Sequence, residues 1–209
     1  PPFNSNAHYY CNMYSNSNMP PVYTLHNSIG KKLRTIEDNA KFRERISEYG
    51  FAKKEHFTFT TDEGVSLNGW MIKPADFSQN SGKKYPVLMY VYGGPGSQEV
   101  TNSYFRSNDH AWYQMLAQKG YIVVCVDGRG TASRGDAFKK VIYKQMGKYE
   151  AIDQIATANY LKTLPYVDGD RIGIWGWSFG GYLSSLAMFK GKGVFKMAMS
   201  VAPVTNWRY

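Results

Sequence analysis

The amino-acid sequence predicts an α/β fold, in which helices cover both faces of a mostly parallel sheet, preceded by strands of a separate all-β unit. From Tyr85 onward, apolar segments of strand length alternate with amphipathic segments of helical period, which is the pattern of a parallel sheet. Residues 1 to about 30 instead combine Asn, Ser, Tyr and Pro with short alternating runs. Hydrophobic residues make up 43% and aromatic residues 16% of the 209 residues, which excludes a disordered or collagen-like chain.

The first part of the chain is expected to form a hairpin, a linker helix and two further strands. Residues 7–13 and 22–25 alternate on either side of a turn-forming segment, which predicts an antiparallel hairpin. Residues 35–49 contain helix-forming residues, acidic residues in the first turn and a glycine after the end, which predicts a helix. Residues 55–60 and 65–72 alternate around a glycine-containing turn and predict two strands.

The second part of the chain alternates between strands and helices. Strands are expected at 86–92, 121–126, 171–175 and 194–201, and helices at 110–118, 138–145, 150–164 and from 178 to about 190. We therefore expect two domains. Residues 1–48 would be the end of an all-β unit with its linker helix, and residues 49–209 an incomplete α/β domain.

Charge and cysteine content limit the partners that the sequence predicts. Lys and Arg number 25 against 16 Asp and Glu, a net charge of +9, but the lysines are scattered pairs, so we expect a solvated surface and no nucleic-acid partner. No apolar stretch approaches the roughly 18 residues of a membrane span. Cys125 lies in an apolar run and is expected to be a buried free thiol. Without paired Cys/His spacings or a phosphate-loop Lys, the sequence predicts no metal and no cofactor.

A Gly-x-Ser-x-Gly pattern at Gly176, Ser178 and Gly180 is the part of the sequence that points to chemistry. The pattern alone is weak, but here a β-rich run ends at Trp175 and a helix is predicted to begin at the serine. That strand-turn-helix setting is typical of a nucleophile elbow, in which small residues two positions either side of the serine let strand and helix approach. Ser178 is therefore predicted to be a nucleophile for acyl transfer.

An acyl-transfer nucleophile also needs hydrogen-bond donors for the oxyanion. The backbone N–H of Phe179, which follows the nucleophile, is one such donor in an elbow. The second donor is expected from the glycine-rich loop after an earlier strand, where the phenol of Tyr92 could donate. The alternative is that Tyr92 only packs beneath that loop.

The acid and base of a catalytic triad are not found in the expected order. The order Ser, then Asp or Glu, then His would place both after Ser178, but residues 179–209 contain none of these types. All four histidines lie upstream, namely His8, His26, His56 and His110. The first three lie in predicted strand regions and are expected to be surface or packing residues. Asp127 follows a strand, and we expect it to brace its loop by pairing with Arg129 rather than to serve as the triad acid.

Four segments together resemble the dipeptidyl peptidase IV branch of the prolyl oligopeptidase family. They are Gly-Trp-Ser-Phe-Gly-Gly-Tyr at 176–182, Val-Tyr-Gly-Gly-Pro-Gly-Ser-Gln at 91–98, Val-Asp-Gly-Arg-Gly-Thr at 126–131 and Val-Ala-Pro-Val-Thr-Asn-Trp-Arg-Tyr at 201–209. The resemblance implies a partial α/β-hydrolase preceded by the last strands of a β-propeller, which is eight-bladed in this family. It also implies that the chain is a piece of a longer polypeptide, as its Pro-Pro start suggests.

The resemblance implies a role for each matching residue. Ser178 would be the nucleophile, and the Tyr92 hydroxyl and Phe179 N–H would form the oxyanion hole. Phe179, Val204 and Trp207 would form the walls of a pocket for proline, with Phe179 standing where Tyr is common. The triad Asp and His would follow residue 209, and the glutamates that bind the substrate amine would precede residue 1.

The implied activity is that of a serine exopeptidase that releases N-terminal Xaa-Pro dipeptides from peptides through an acyl-enzyme. A prolyl tripeptidyl or acylaminoacyl peptidase of the same family is the related alternative, and a lipase or esterase is a further enzyme class. A non-catalytic scaffold is the alternative from outside enzymology, and the 209-residue chain alone is expected to be inactive. Family resemblance further implies a homodimer and an extracytoplasmic, periplasmic or cell-surface, location.

Overall fold

A computed structural model describes residues 6–104 and 109–208, which form two compact units. The first unit comprises residues 1–53 and 101–112, and the second comprises residues 54–100 and 113–209. The predicted domain division at residues 48 and 49, and the identity of the first part as a propeller blade, stay predictions.

The first unit contains a three-stranded antiparallel sheet followed by a helix. Its elements are β1 (Tyr9–Asn16), β2 (Met19–Asn27), β3 (Lys32–Glu37) and α1 (Ala40–Glu48), with the strands in the order β1-β2-β3. The predicted hairpin is therefore present, with longer strands on both sides of its turn.

The prediction of one helix over residues 35–49 is wrong at its start. Thr35 pairs with Thr24 and Glu37 with Tyr23, so this segment continues the sheet as β3. Asn39 then adopts a left-handed conformation, with φ of 55° and ψ of 30°, and only after it does α1 begin. Hydrogen bonding to β2, a partner that the local composition does not reveal, outweighs the helix-forming composition of the segment.

The second unit contains a six-stranded mixed sheet. Its strands are β4 (Lys54–Thr60), β5 (Ser66–Ile72), β6 (Tyr85–Tyr90), β7 (Ile122–Asp127), β8 (Val167–Trp177) and β9 (Met197–Val201), in the spatial order β4-β5-β7-β6-β8-β9. The pairs β4-β5 and β5-β7 are antiparallel, and β7-β6, β6-β8 and β8-β9 are parallel. The sheet thus has a parallel central part, and the fold class is α/β, as the sequence predicts.

Four helices are found among the described residues that follow β5. They are α2 (Asp109–Gln118), whose first residues are grouped with the first unit, α3 (Asp136–Lys140), α4 (Tyr149–Thr163) and α5 (Phe179–Lys190). The short α3 replaces the longer helix predicted over residues 138–145, because the chain continues in turns from Val141. None of the helices in the described ranges is long and apolar enough to cross a membrane.

The core of the second unit lies around the central strands. Every residue of β7 is buried, and Met89 of β6 and Ile174 of β8 are fully enclosed beside it. Burial on both sides explains why these strands are continuously apolar rather than alternating. Cys125 lies in this core as a free thiol, which confirms that prediction. Because β7, β6 and β8 are parallel neighbours, the loops that follow them leave the same edge of the sheet.

Candidate active site

Ser178 occupies a sharp turn between β8 and α5. Its backbone has φ of 56° and ψ of −115°, a conformation that costs a non-glycine residue about 1–3 kcal/mol. The Ser178 N–H donates to the carbonyl oxygen of Val201 at 2.9 Å, and its own carbonyl accepts from the Tyr182 N–H at 3.0 Å. The side chain is half-buried and makes no capping hydrogen bond to α5. The turn therefore leaves the hydroxyl available at the edge of the sheet.

The two glycines of the pattern are required by close backbone contacts. A Cβ atom on Gly180 would lie 2.0 Å from the Val91 carbonyl oxygen, and one on Gly176 would lie 2.3 Å from the same oxygen. Both distances are far below van der Waals contact, and the atom that would clash is backbone. The end of β6, the turn and the start of α5 can therefore pack together only with glycine at these two positions.

Phe179 follows Ser178 directly, and the ring of Tyr92 lies near that of Phe179. Phe179 is the first residue of α5, where helix N–H groups have no acceptor within the helix and the helix dipole favours negative charge. Tyr92 is half-buried in the loop directly after β6, and its ring centroid lies 6.5 Å from that of Phe179. The structure therefore brings together the two residues that the sequence offers as oxyanion donors.

An aromatic cluster lies beside the turn. The rings of Phe179 and Trp207 are 5.4 Å apart, Tyr182 and Trp207 are also 5.4 Å apart, and Phe179 and Tyr182 are 5.5 Å apart. Phe179 is 5% exposed and Trp207 is 46% exposed, so the cluster has a buried base and an open rim. Tyr182 belongs to the 176–182 segment that resembles the family, but it was given no site role from the sequence. Its position three residues after Phe179 on α5 places both on one helix face.

Val204 lies in a different concavity. That cavity, of about 320 Å³, is lined by Val204 together with Tyr182, Leu186 and Phe189, whereas Trp207 lines a separate one of about 590 Å³. Tyr182 lines the cavity of Val204 and also belongs to the aromatic cluster. Tyr209, the last residue of the 201–209 segment, lies outside the described residues.

The expected pairing of Asp127 with Arg129 is wrong. Arg129 donates from its side chain to both oxygens of Asp153, at 2.7 to 3.1 Å, and its backbone N–H donates to Asp153 at 2.6 Å. It also pairs with Glu63 at 2.8 Å. Although burial disfavours the charged form, the hydrogen bonds that the Arg129 side chain donates to the Asp153 and Glu63 carboxylates raise the pKa of Arg129. Asp153 lies on α4, 24 residues after Arg129, so the spacing of neighbouring residues in the sequence did not reveal it as the partner.

The Asp127 carboxylate instead binds backbone N–H groups. It accepts from the N–H of Val100 at 2.8 Å and from that of Glu99 at 3.1 Å to each oxygen. Burial raises the pKa of the Asp127 carboxyl, and the bonds from Val100 and Glu99 partly offset that rise. Asp127 therefore braces a loop, as expected, but through the backbone of the loop that carries Tyr92.

The four histidines are surface or packing residues. His8 and His56 are exposed, and His26 contacts Thr24 and the Gly30 carbonyl within the first sheet. His110 is buried and packs near Phe51 and Tyr104. Among residues 6–104 and 109–208, no group of three His, Cys, Asp or Glu side chains is arranged to hold a metal ion.

A strained serine between a parallel strand and a helix, with both flanking glycines in backbone contact, has the backbone geometry of the nucleophile elbow of α/β-hydrolases. Comparison with known proteins then gives the family. The profile of the prolyl oligopeptidase family matches residues 107–209. The chain belongs to this family, in its dipeptidyl peptidase IV branch.

Individual relatives match nearly the whole chain. A probable dipeptidyl peptidase 4 from Aspergillus flavus is 40% identical over 99% of this chain, and human prolyl endopeptidase FAP is 40% identical over 90% of it. The crystal structure of Porphyromonas gingivalis dipeptidyl peptidase 4 superimposes with a TM-score of 0.92 at 46% identity over 99% of this chain. The chain spans only 27%, 24% and 29% of the lengths of these three proteins, respectively.

Proposed function

We propose that the whole protein is a serine exopeptidase that releases N-terminal Xaa-Pro dipeptides from peptides, and that Ser178 is its nucleophile. The observation that supports this most is the strained Ser178 turn, with Tyr92 and the start of α5 beside it. The names of the relatives, which include dipeptidyl peptidase 4 and dipeptidyl-aminopeptidase B, support the dipeptidyl register.

The proposed reaction is acyl transfer in two steps. The Ser178 hydroxyl attacks the carbonyl carbon of the scissile bond and loses its proton to a histidine base, and the negative oxygen receives hydrogen bonds from the Phe179 N–H and the Tyr92 hydroxyl. The departing amine takes that proton, and water then hydrolyses the acyl-enzyme to free the dipeptide. Residues 179–209 offer neither the base nor its acid, so we propose that the rest of the whole protein supplies them.

Preference for proline would come from the aromatic cluster. Phe179 and Trp207 present apolar ring surfaces beside the nucleophile, and the pyrrolidine ring is apolar and rigid. Phe179 lacks the hydroxyl of the Tyr common at this position, which should matter little because its ring is packed and buried. We keep Val204 as a proposed third wall, although it lines a neighbouring cavity. The homodimer and the extracytoplasmic location also stay proposals.

The first test removes the nucleophile from the whole protein. Ser178→Ala should lower kcat on Gly-Pro-p-nitroanilide by about 10⁴-fold or more, because residual catalysis then comes from binding and the oxyanion hole alone. Ser185→Ala, about two turns further along α5, is the matched control and should retain activity. Equal activity of Ser178→Ala and wild type would contradict the proposed function.

The second test determines the register. Gly-Pro-p-nitroanilide is compared with its N-acetylated form, and cleavage of the free amine alone would support a dipeptidyl peptidase. Cleavage of the acetylated form would instead indicate the endopeptidase or acylaminoacyl register, which the match to prolyl endopeptidase FAP makes worth measuring. Failure to cleave either substrate would leave the tripeptidyl and non-catalytic alternatives.

A further inference from the structure

The loop that carries Tyr92 has one internal turn, at residues 94–97, and otherwise depends on neighbouring structure. Residues 91–100 contain no helix or strand, and three of the residues that follow Tyr92 are glycines, at 93, 94 and 96. A glycine-rich segment has many accessible conformations, so its geometry must be imposed by neighbouring structure. An oxyanion donor that shifts by an ångström loses much of its effect, so whatever holds this loop affects the reaction.

The loop after β7 lies along the Tyr92 loop and bonds to it. The Gly96 N–H donates to the Gly130 carbonyl at 2.9 Å, and the Ala132 N–H donates to the Ser97 carbonyl at 2.8 Å. The Ser133 hydroxyl also donates to Gln98 at 2.8 Å. The two loops therefore form a paired layer at the edge of the sheet, next to the nucleophile.

Asp127 anchors the far end of the Tyr92 loop to the sheet. Its two carboxylate oxygens share three hydrogen bonds from the N–H groups of Glu99 and Val100, and it is only 9% exposed. Hydrogen bonds to an ionised acceptor are about twice as strong as neutral ones. The anchor itself is rigid because Asp127 ends β7, a central strand whose residues are all buried.

We infer that Asp127 is a positioning residue that holds the Tyr92 hydroxyl in the oxyanion hole by clamping the backbone at Glu99 and Val100. The inference rests on the proposed function. Asp127 would then affect the reaction without touching the substrate. This role also accounts for a buried carboxylate that takes no part in the acyl-transfer steps proposed for Ser178.

The test is a double-mutant cycle in the whole protein. Asp127→Asn keeps the size of the side chain but leaves one acceptor oxygen for two N–H donors, and should lower kcat about tenfold with KM changed less than about twofold. Tyr92→Phe should lower kcat by about 10²-fold or more, the usual cost of one oxyanion donor. If Asp127 acts through Tyr92, adding Asp127→Asn to Tyr92→Phe should lower kcat by less than about twofold.

Controls separate this effect from general destabilisation. Asp168→Asn makes the same chemical change at a carboxylate that accepts the N–H of Asp170 on the surface, and should leave kcat unchanged. Gln98→Ala, which removes the bonds to Ser133 and the Val100 carbonyl, tests the same coupling should Asp127→Asn not fold. It too should lower kcat in the wild type and not in Tyr92→Phe.

Two outcomes would overturn the inference. One is that Asp127→Asn lowers kcat by the same factor with and without the Tyr92 hydroxyl. The other is seen in amide hydrogen exchange over residues 93–100, which should accelerate in Asp127→Asn, so an unchanged rate would also contradict it. Hydrogen exchange can be measured without turnover. An inactive wild-type protein would contradict the proposed function, whereas an unchanged exchange rate in Asp127→Asn would contradict the positioning role of Asp127.

Discussion

The Ser178 turn and the Tyr92 loop lie side by side, but different forces hold them. The Ser178 turn is held by steric contact between backbone atoms, since Gly180 and Gly176 both press against the Val91 carbonyl. The Tyr92 loop is held by hydrogen bonds that the N–H groups of Glu99 and Val100 donate to the Asp127 carboxylate, which lies 28 residues after Glu99 in sequence. The first kind of constraint is local and tolerates no added atom, whereas the second is long-range and depends on charge and acceptor number.

The difference explains why the sequence predicted the place of the Ser178 turn but gave Asp127 the wrong partner. A steric turn leaves its mark in neighbouring residues, because the glycines must stand at fixed positions around the serine. A hydrogen-bonded clamp leaves no such mark, because a carboxylate can accept N–H groups from any segment that the fold brings near. The two regions should therefore respond differently to small changes.

The largest effect should come from Gly180→Ala. Its methyl group would lie 2.0 Å from the Val91 oxygen, so β6 and α5 would have to separate. We expect a loss of about 4 kcal/mol or more in the free energy of unfolding, or no folded protein, measured by denaturant unfolding. Gly169→Ala is the control, because its methyl group would meet only the flexible Lys162 side chain. A Gly180→Ala protein as stable as the control would contradict the steric account.

The next largest effect should come from the buried ion pair between Arg129, in the loop after β7, and Asp153 of α4. Arg129→Met would leave Asp153, which is fully buried, without its cationic partner. Removing one member of a buried ion pair costs about 3–5 kcal/mol, because the remaining charge is uncompensated. Asp153→Asn added to Arg129→Met should recover part of the loss in free energy of unfolding. Strict additivity of the two changes would show that they do not interact.

The sequence predicted the elements of the sheet and the place of the Ser178 turn, and it failed where a distant partner decides. Alternating and apolar runs gave the strands around residues 55–60 and 121–126, because burial imposes those patterns directly. The order β5-β7-β6-β8 and the pairing of residues 35–37 with β2 are tertiary and have no local pattern. The Asp153 partner of Arg129 was missed for the same reason. The catalytic roles of Ser178, Tyr92 and Phe179 stay predictions.

A second buried carboxylate, that of Glu150, sharpens the comparison with Asp127. Glu150 is 1% exposed and accepts the Gly147 N–H through Oε2 at 3.0 Å, but its Oε1 has no hydrogen-bond partner within the described ranges. Burial raises the pKa of Glu150, with the bond from Gly147 offsetting only part of the rise. The charge of Glu150 is therefore less well compensated than that of Asp127, whose two oxygens are both bonded.

The smallest effect should come from Glu150→Gln, which should stabilise the fold rather than destabilise it. Because the folded-state pKa of Glu150 lies above its unfolded value, the folded protein binds the extra proton, and stability rises as pH falls through the folded pKa. Glu150→Gln removes the charge and should increase the free energy of unfolding at pH 7 by on the order of 1 kcal/mol. That gain should shrink as the pH approaches the unfolded value near 4.5, where wild-type Glu150 is itself protonated when folded. Denaturant unfolding of both proteins at pH 7 and pH 5 measures this gain in the free energy of unfolding. A gain that grows toward acid pH would contradict the prediction, because it would show that the Glu150 charge stabilises the fold.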